Sequence, residues 1–567
     1  MVFASPIFLF LFLPLTLAAY FAFPRTWRNG VLLVASLAFY AWGEARYLPL
    51  IVGSVAFNWV MGRAIGGSTD ARLRKRWLVV AVAGNLTALA LFKYANFAVA
   101  NVNVLAPVLA ITPLAVAAIP LPLGISFFTF HAISYVVDVY KRNAEAERNI
   151  PRFALYILLF PQLIAGPIIR WRDIAAQLGS REQRVADFAW GARRFVLGLG
   201  KKVLIANTLG RTADAIFGLP ANELTTPLAW LGLACYTLQI YFDFSGYSDM
   251  AIGLMRMFGF RILENFNYPY ISRSIREFWR RWHISLSNWF RDYLYVSLGG
   301  NRRGERRAYA NLVIVFLLCG LWHGASWPFV LWGMWHGAFL VAERAGLDSA
   351  LRRGGYIARL MSHVYALGVV MGGWVLFRCN TLEHAIDYFQ ALAGFAKGNS
   401  AQHPVAQHLD PLVAFTLLIA TLFATPLARR IGAWRDSVAA RPGVPATAVL
   451  GPTSAGWWES ASWPARSSPQ EPTIRSSTSA SDARDLRPLV LAAGAADSPR
   501  DASVARPRRG GTVRARACRA SRGIDVYVVA NNDVVRKTGN GAVAVLRIGN
   551  RISSGLRARV CRPLWRT

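Results

Sequence analysis

Long stretches without one charged side chain recur through the first 430 residues, as in Ile7–Phe23, Val31–Ala41 and Trp77–Ala90. A helix of a water-soluble protein keeps a polar face, and these stretches keep none. A helix that crosses a bilayer takes roughly 20 mostly apolar residues, a length these stretches reach with their flanks. The chain therefore folds in a membrane. Its composition agrees: charged residues make up 16%, against roughly 25% in an ordinary globular protein.

Apolar runs fall near 5–23, 30–45, 48–66, 77–97, 104–124, 125–140, 153–170, 190–208, 226–245, 310–325, 327–343, 362–378 and 411–428. They predict an all-α polytopic membrane protein with about ten to twelve transmembrane helices. Not every run crosses. AIPLPLG (Ala118–Gly124) breaks a helix, because proline lacks the amide donor and clashes with the preceding turn. Non-helical backbone at membrane depth survives only inside protein or beside a wet cavity, so re-entrant and interfacial pieces are expected. No Lys or Arg precedes Arg25, so Ser5–Phe23 reads as a retained first span rather than a cleaved signal.

The net charge of +33 raises nucleic acid as a partner. The flanking positions of the basic residues fit membrane orientation better. Arg25 and Arg28 follow the first span, and Arg72, Arg74, Lys75 and Arg76 follow the third. Both loops lie in the cytoplasm if the N-terminus is periplasmic. The five cysteines (Cys235, Cys319, Cys379, Cys518, Cys561) show no CxxC spacing, which leaves neither a disulfide framework nor a zinc pattern.

Character changes near Arg435. Residues 431–567 are rich in Arg, Ala, Pro, Ser and Gly, with Lys537 as their single lysine. Such a segment buries too little apolar surface to offset chain entropy. It reads as a disordered basic tail or, because these residues have GC-rich codons, as the product of a shifted reading frame. A membrane domain of residues 1–430 and this tail are the expected divisions.

The chemistry is concentrated between Gln239 and Gly337. YFDFSGYSDMAIG (Tyr241–Gly253) sets Asp243 and Asp249 beside an apolar run. Carboxylates there are costly and are functional candidates, although capping or cross-linking helices explains them equally well. Glu264–Gly304 mixes Arg276, Arg280, Arg281 and Arg291 with Trp279, Trp282, Trp289 and Tyr295. That pattern predicts a membrane-surface helix, aromatic rings at the lipid interface, with His283 in its middle. LLCGLWHGASWPFVLWGMWHG (Leu317–Gly337) places His323 and His336 in two WHG triplets within apolar segments. A histidine at that depth needs a polar partner or a wet cavity. A neutral imidazole accepts a proton from an attacking hydroxyl near neutral pH. GxGxxG, P-loop, HExxH and GxSxG signatures are missing from the sequence, and Ser245 has no nearby histidine in sequence.

Together with FYAWGE (Phe39–Glu44), FKYANF (Phe92–Phe97), PLGISFFTFHAISYVVDVY (Pro122–Tyr140) and FPQLIAGPIIR (Phe160–Arg170), this block resembles the membrane-bound O-acyltransferases, in particular the alginate O-acetyltransferase branch. The resemblance extends from Met1 to about Arg430. It implies helices around a central tunnel, an acetyl donor entering from the cytoplasm, and a site in the bacterial inner membrane. By analogy His323 is the general base and His283 orients or polarises the reacting groups. His336, Trp322, Asp292 and Asp249 are supporting candidates, with helix packing an equal explanation for His336. The resemblance implies acetyl-CoA or another acyl donor as substrate and no bound cofactor or metal. It further implies periplasmic partner proteins with serine nucleophiles that complete delivery to the polysaccharide. Membrane lipid is the expected surround, and nucleic acid is not a partner. A transporter or flippase for a lipid-linked sugar, and a non-enzymatic scaffold of an export complex, are the competing readings. The family's further C-terminal membrane helices are replaced here by the Arg-rich tail.

Overall fold

The computed structural model describes residues 2–431, apart from 109, 353, 354, 400, 428 and 429, together with two strands near the C-terminus. The chain divides into two units, Met1–Ser467 and Ser468–Thr567.

Every regular element among the described residues of the first unit is helical. A single π-turn leads into α1 (Leu13–Ala22). α2 (Arg28–Glu44) and α3 (Leu48–Gly67) are separated by one 3-10 turn. α4 (Ala71–Leu105) begins at Asp70, whose carboxylate accepts hydrogen bonds from the N–H groups of Arg72 and Leu73. These are two of the donors that every helix start leaves unpaired. After an irregular stretch that includes the Pro-rich segment come α5 (Ile125–Tyr140), α6 (Ile150–Leu158), α7 (Trp171–Gly179), α8 (Val185–Gly200) and α9 (Asn207–Phe217). The long α10 (Thr226–Met257) follows, then the short α11 (Ile275–Arg281) and α12 (Ile284–Trp289). α13 (Glu305–His323), α14 (Trp327–Ala342), α15 (Tyr356–Arg378), α16 (Leu382–Leu392) and α17 (Pro411–Phe423) complete the unit.

Among the described residues three segments are long and apolar enough to cross a membrane: Arg28–Gly67, Ala71–Leu105 and Tyr356–Arg378. α5, α17 and the segment Phe8–Ala22 are apolar but shorter. Length and composition alone thus mark fewer spans than the ten to twelve expected, and α10 shows why. It runs for 32 residues but carries Asp243, Asp249 and Arg256, so an apolarity criterion passes over it. Its two carboxylates are paired with cations of the preceding segment. Arg194 on α8 donates to Asp249 Oδ1 through Nη2 at 2.6 Å and through Nε at 2.9 Å. The same Nη2 reaches Glu264 Oε2 at 2.6 Å. Lys201 meets Asp249 Oδ2 at 2.6 Å, and Lys202 meets Asp243 at 2.7 Å. A buried ion pair that is broken leaves an uncompensated charge, so this set ties α8 to α10.

The basic–aromatic block does not form the continuous surface helix its composition suggests. It breaks at Trp282–His283 into α11 and α12, with His283 in the left-handed region at φ 43. Trp279, Trp282 and Trp289 are buried in the protein rather than laid at a lipid interface. Aromatic partners explain their placement. Phe130 stacks on Trp289 at 3.7 Å between ring centres, and Trp282 lies 4.9 Å from Trp374.

In the second unit β1 (Ile524–Val529) pairs in parallel with β2 (Ala542–Arg547), with Ile524 opposite Ala542. Both segments are rich in valine, which suits extended backbone. The rest of residues 432–567, with the expectations placed on them, lies outside the described residues.

Candidate functional site

His323 is the last residue of α13, and the chain leaves the helix at Gly324 in extended conformation. Its half-buried ring sits among three aromatic faces: Trp322 at 4.8 Å, Trp332 at 4.9 Å and Phe377 at 5.2 Å between centres. Its nitrogens make no hydrogen bond among the described residues.

The helix end that carries His323 is held from outside. The last carbonyls of a helix lack intrahelical partners. Here the Tyr94 hydroxyl donates to the carbonyl of Leu321 at 2.8 Å, and Lys93 Nζ donates to the carbonyl of Trp322. Lys93 also bonds Ser126 Oγ at 3.2 Å. A cation at a helix C-terminus is favoured by the helix dipole. Two adjacent side chains of α4 thereby fix the position of His323.

His283 comes from the break between α11 and α12 and is 1% exposed. Its ring lies 6.3 Å from that of Trp322 and 4.6 Å from that of Phe244. Trp322 thus stands against both candidate histidines, and Phe130 supports it with a ring-centre separation of 5.3 Å. His283 Nδ1 lies 3.1 Å from Asn265 Oδ1. The structure brings His323, His283 and Trp322 together.

The other candidates are placed differently. His336 is fully buried on α14, where its Nδ1 accepts from Trp279 Nε1 at 3.4 Å within a box of Trp279, Trp332 and Phe278. These are packing contacts, and His336 Nε2 has no partner among the described residues. Asp249 is committed to Arg194 and Lys201. Asp292 accepts from Arg170 and Arg172 at 2.6 Å each and from Arg291 at 2.8 Å. Burial alone would raise its carboxyl, but the arginines outweigh burial and hold it below the usual carboxylate range. Asp292 joins the loop before α7 to the segment after α12, and no histidine is among its partners. Ser245 is buried on α10 with a hydroxyl that has no partner among the described residues.

A family model described as MBOAT, membrane-bound O-acyltransferase family, matches residues 118–378. A protein of Azotobacter vinelandii named "Probable alginate O-acetylase AlgI" is 48% identical over 422 residues, 74% of this chain and 83% of its own length. The chain belongs to the membrane-bound O-acyltransferase family. A Pseudomonas aeruginosa protein of the same name is 46% identical to this acyltransferase over 424 residues, 74% of the chain and 80% of the relative. A Helicobacter pylori protein named "Peptidoglycan O-acetyltransferase" is 35% identical over 431 residues, 70% of the chain and 80% of the relative. The stretch matched by the family model takes in both His283 and His323.

Three residues of the site carried no individual signal in the acyltransferase's sequence. Lys93 and Tyr94 sat within FKYANF, and Asn265 within ENFNYPY. Each acts on a residue distant in the chain. Lys93 offered the one usable clue, as the single charge within residues 77–105, where a charge is a functional or structural marker by default.

Proposed function

We propose that this membrane acyltransferase passes acetyl groups from a cytoplasmic donor across the bacterial inner membrane for O-acetylation of an exopolysaccharide, with alginate as the polysaccharide. The observation that carries the reading is the pair of imidazoles set against Trp322, one unpartnered and one anchored. The names of the relatives supply the acyl group and the acceptor class.

In this reading His323 takes the proton of the attacking hydroxyl, and His283 holds the reacting groups in line. The hydroxyl oxygen forms the new ester bond as the bond from acyl group to donor sulfur breaks, and the departing thiolate takes up the proton that His323 holds. Acetyl-CoA is the donor. Its phosphates suit a cavity of about 410 Å³ beside α11, lined by Arg273, Arg281 and Arg359 with Glu277. Arginine is well matched to phosphate in such a place. A passage through the helices lets the acetyl group cross while the charged coenzyme remains in the cytoplasm. Periplasmic partner proteins with serine nucleophiles then receive the group and complete its delivery, so a partner's hydroxyl is the immediate acceptor.

The test is the O-acetyl content of secreted polysaccharide from cells making wild type or His323→Ala, with equal membrane levels verified by blot. Loss of at least a hundredfold is expected, in keeping with removal of a general base. Unchanged ester would overturn the catalytic reading and favour a scaffold or transporter.

A further inference from the structure

Asn265 is the most heavily used buried amide beside the site, and its bonds have a single consistent arrangement of protons. The backbone N–H of Ser285 points at Asn265 Oδ1 at 3.2 Å. A backbone N–H only donates, so the atom it faces must be the carbonyl oxygen of the amide and not its nitrogen. The opposite end agrees, since Asn265 Nδ2 donates to Ser248 Oγ at 3.1 Å. The Ser285 hydroxyl accepts from the N–H of Ile168 at 3.0 Å and spends its own proton on Asn265 Oδ1 at 2.9 Å. Asn265 Oδ1 therefore acts purely as an acceptor. His283 Nδ1 faces the same oxygen at 3.1 Å, closer than the Ser285 hydroxyl at 3.5 Å, whose proton is already given to Asn265 Oδ1, so Nδ1 carries the proton. In a neutral imidazole the other nitrogen, Nε2, is then a bare lone pair.

The same residue fixes the backbone. The N–H of Ile284 donates to the Asn265 carbonyl at 2.9 Å, directly after the left-handed His283. A non-glycine residue in that region is held there only by its surroundings. Asn265 thus determines both the direction of the ring and the nitrogen it presents.

We propose that Asn265 is a positioning residue that locks His283 in its Nδ1–H tautomer, so that Nε2 receives a hydrogen bond from a reactant. This rests on the reading of His283 as part of the acyl-transfer site, and it narrows the role of that residue. A ring that presents a lone pair holds a group bearing hydrogen, such as a hydroxyl or amide N–H of donor or acceptor. It does not polarise the acyl carbonyl, which needs a donor. The polarising half of the role first given to His283 is thereby removed. Apart from the cations that pair with Glu264, the titratable groups nearest this place on neighbouring helices are His323, beside the Trp322 ring, and Lys93, whose Nζ lies 5.7 Å from the centre of that ring. The side chains against the His283 ring, Phe244 and Trp322, carry no charge.

The experiment uses the full-length protein in lipid with 15N-labelled histidine, and the His283 signals are assigned by their disappearance in His283→Gln. In wild type, Nδ1 is expected to be protonated and Nε2 unprotonated, and Asn265→Ala is expected to give a mixture of tautomers. A wild-type Nε2–H signal overturns the proposal, as does an unmixed Nδ1–H signal in Asn265→Ala. In parallel, O-acetyl ester per membrane protein is measured in cells. Asn265→Ala should lower it about a hundredfold or more, as loss of the correct tautomer and orientation does in other imidazole-dependent sites. Asn265→Asp, which keeps an acceptor at the same place, should recover at least a tenth of the lost activity. Wild-type ester in Asn265→Ala, with none in His283→Ala, overturns the positioning role alone. Wild-type ester in His283→Ala overturns the reading of the site instead, while the tautomer measurement still decides what Asn265 does.

Discussion

Substituting Gly198 with alanine tests the close approach of α8 to α10. A Cβ added at Gly198 would lie 2.5 Å from the Gly246 carbonyl oxygen, 2.7 Å from the Met250 nitrogen and 2.9 Å from Asp249 Cβ. Backbone atoms supply the first two contacts, so no side-chain rotation relieves them. An unstrained contact needs about 3.4 Å, which requires the helices to part locally by about 0.9 Å. The Arg194–Asp249 hydrogen bond, now 2.6 Å, would stretch to about 3.5 Å, beyond useful length. Overpacking costs about 1–3 kcal/mol, and loosening a buried pair costs part of the 3–5 kcal/mol that breaking it would. The helix itself gains about 1 kcal/mol from alanine. A net loss of about 2–4 kcal/mol follows. Gly200→Ala is the control, because it makes the same chemical change two residues away where nothing lies within 4 Å. Unfolding of the two variants is compared in mixed micelles under increasing denaturant. Gly198→Ala should be much less stable than wild type, and Gly200→Ala equal to it or slightly more stable. Equal stability of the two variants would refute the reasoning.

Lys93→Met keeps the length of the side chain but removes the donor from the Trp322 carbonyl. Leaving that carbonyl unpaired should cost about 1–3 kcal/mol, and ester formation should fall at least tenfold at equal membrane level because His323 is displaced. Undiminished ester would exclude the proposed hold on α13. Asp292 predicts a pH effect. Its folded carboxyl titrates below the unfolded value of about 3.9, so its contribution is complete above that pH and is lost as pH falls through the lower folded value. The thermal midpoint of wild type should therefore drop more steeply below about pH 4 than that of Asp292→Asn, which should be less stable than wild type at pH 7. Parallel curves would show that Asp292 does not contribute.

Apolar runs located the helices well wherever lipid or a uniform apolar surround decides the structure. The run near 30–45 became Arg28–Glu44, that near 48–66 became Leu48–Gly67, and 125–140 was met to the residue. A helix is hidden where its charge is neutralised by a distant partner. The run counted as 226–245 continues to Met257, because Arg194 and Lys201 accompany Asp249 into the interior. The pattern is equally ambiguous at Trp279–Trp289, where a basic and aromatic composition suits both a lipid surface and a buried aromatic cluster. The break at His283 was hidden because the interaction that stabilises it comes from Asn265, which precedes it by 18 positions. At the site, repeated WHG triplets and the family resemblance pointed to His323 and His283. Neither distinguished the open His323 from the enclosed His336, since that difference depends on which helix faces which.

The ionic set shared by α8 and α10 also constrains how the chain is made. Presented alone to the insertion machinery, α8 carries Arg194 with Lys201 just beyond it, and α10 carries Asp243 and Asp249. A single charge at the centre of an inserting helix disfavours insertion by about 2.5–3.5 kcal/mol. Together, Arg194 and Lys201 meet Asp249, and Lys202 meets Asp243. The first is therefore expected to wait at the translocon until the second has been synthesised, so that the two enter the bilayer with these ion pairs formed. Any change that delays translation between residues 200 and 250 lengthens that wait, so the yield of inserted protein depends on synthesis rate at a place remote from the chemistry.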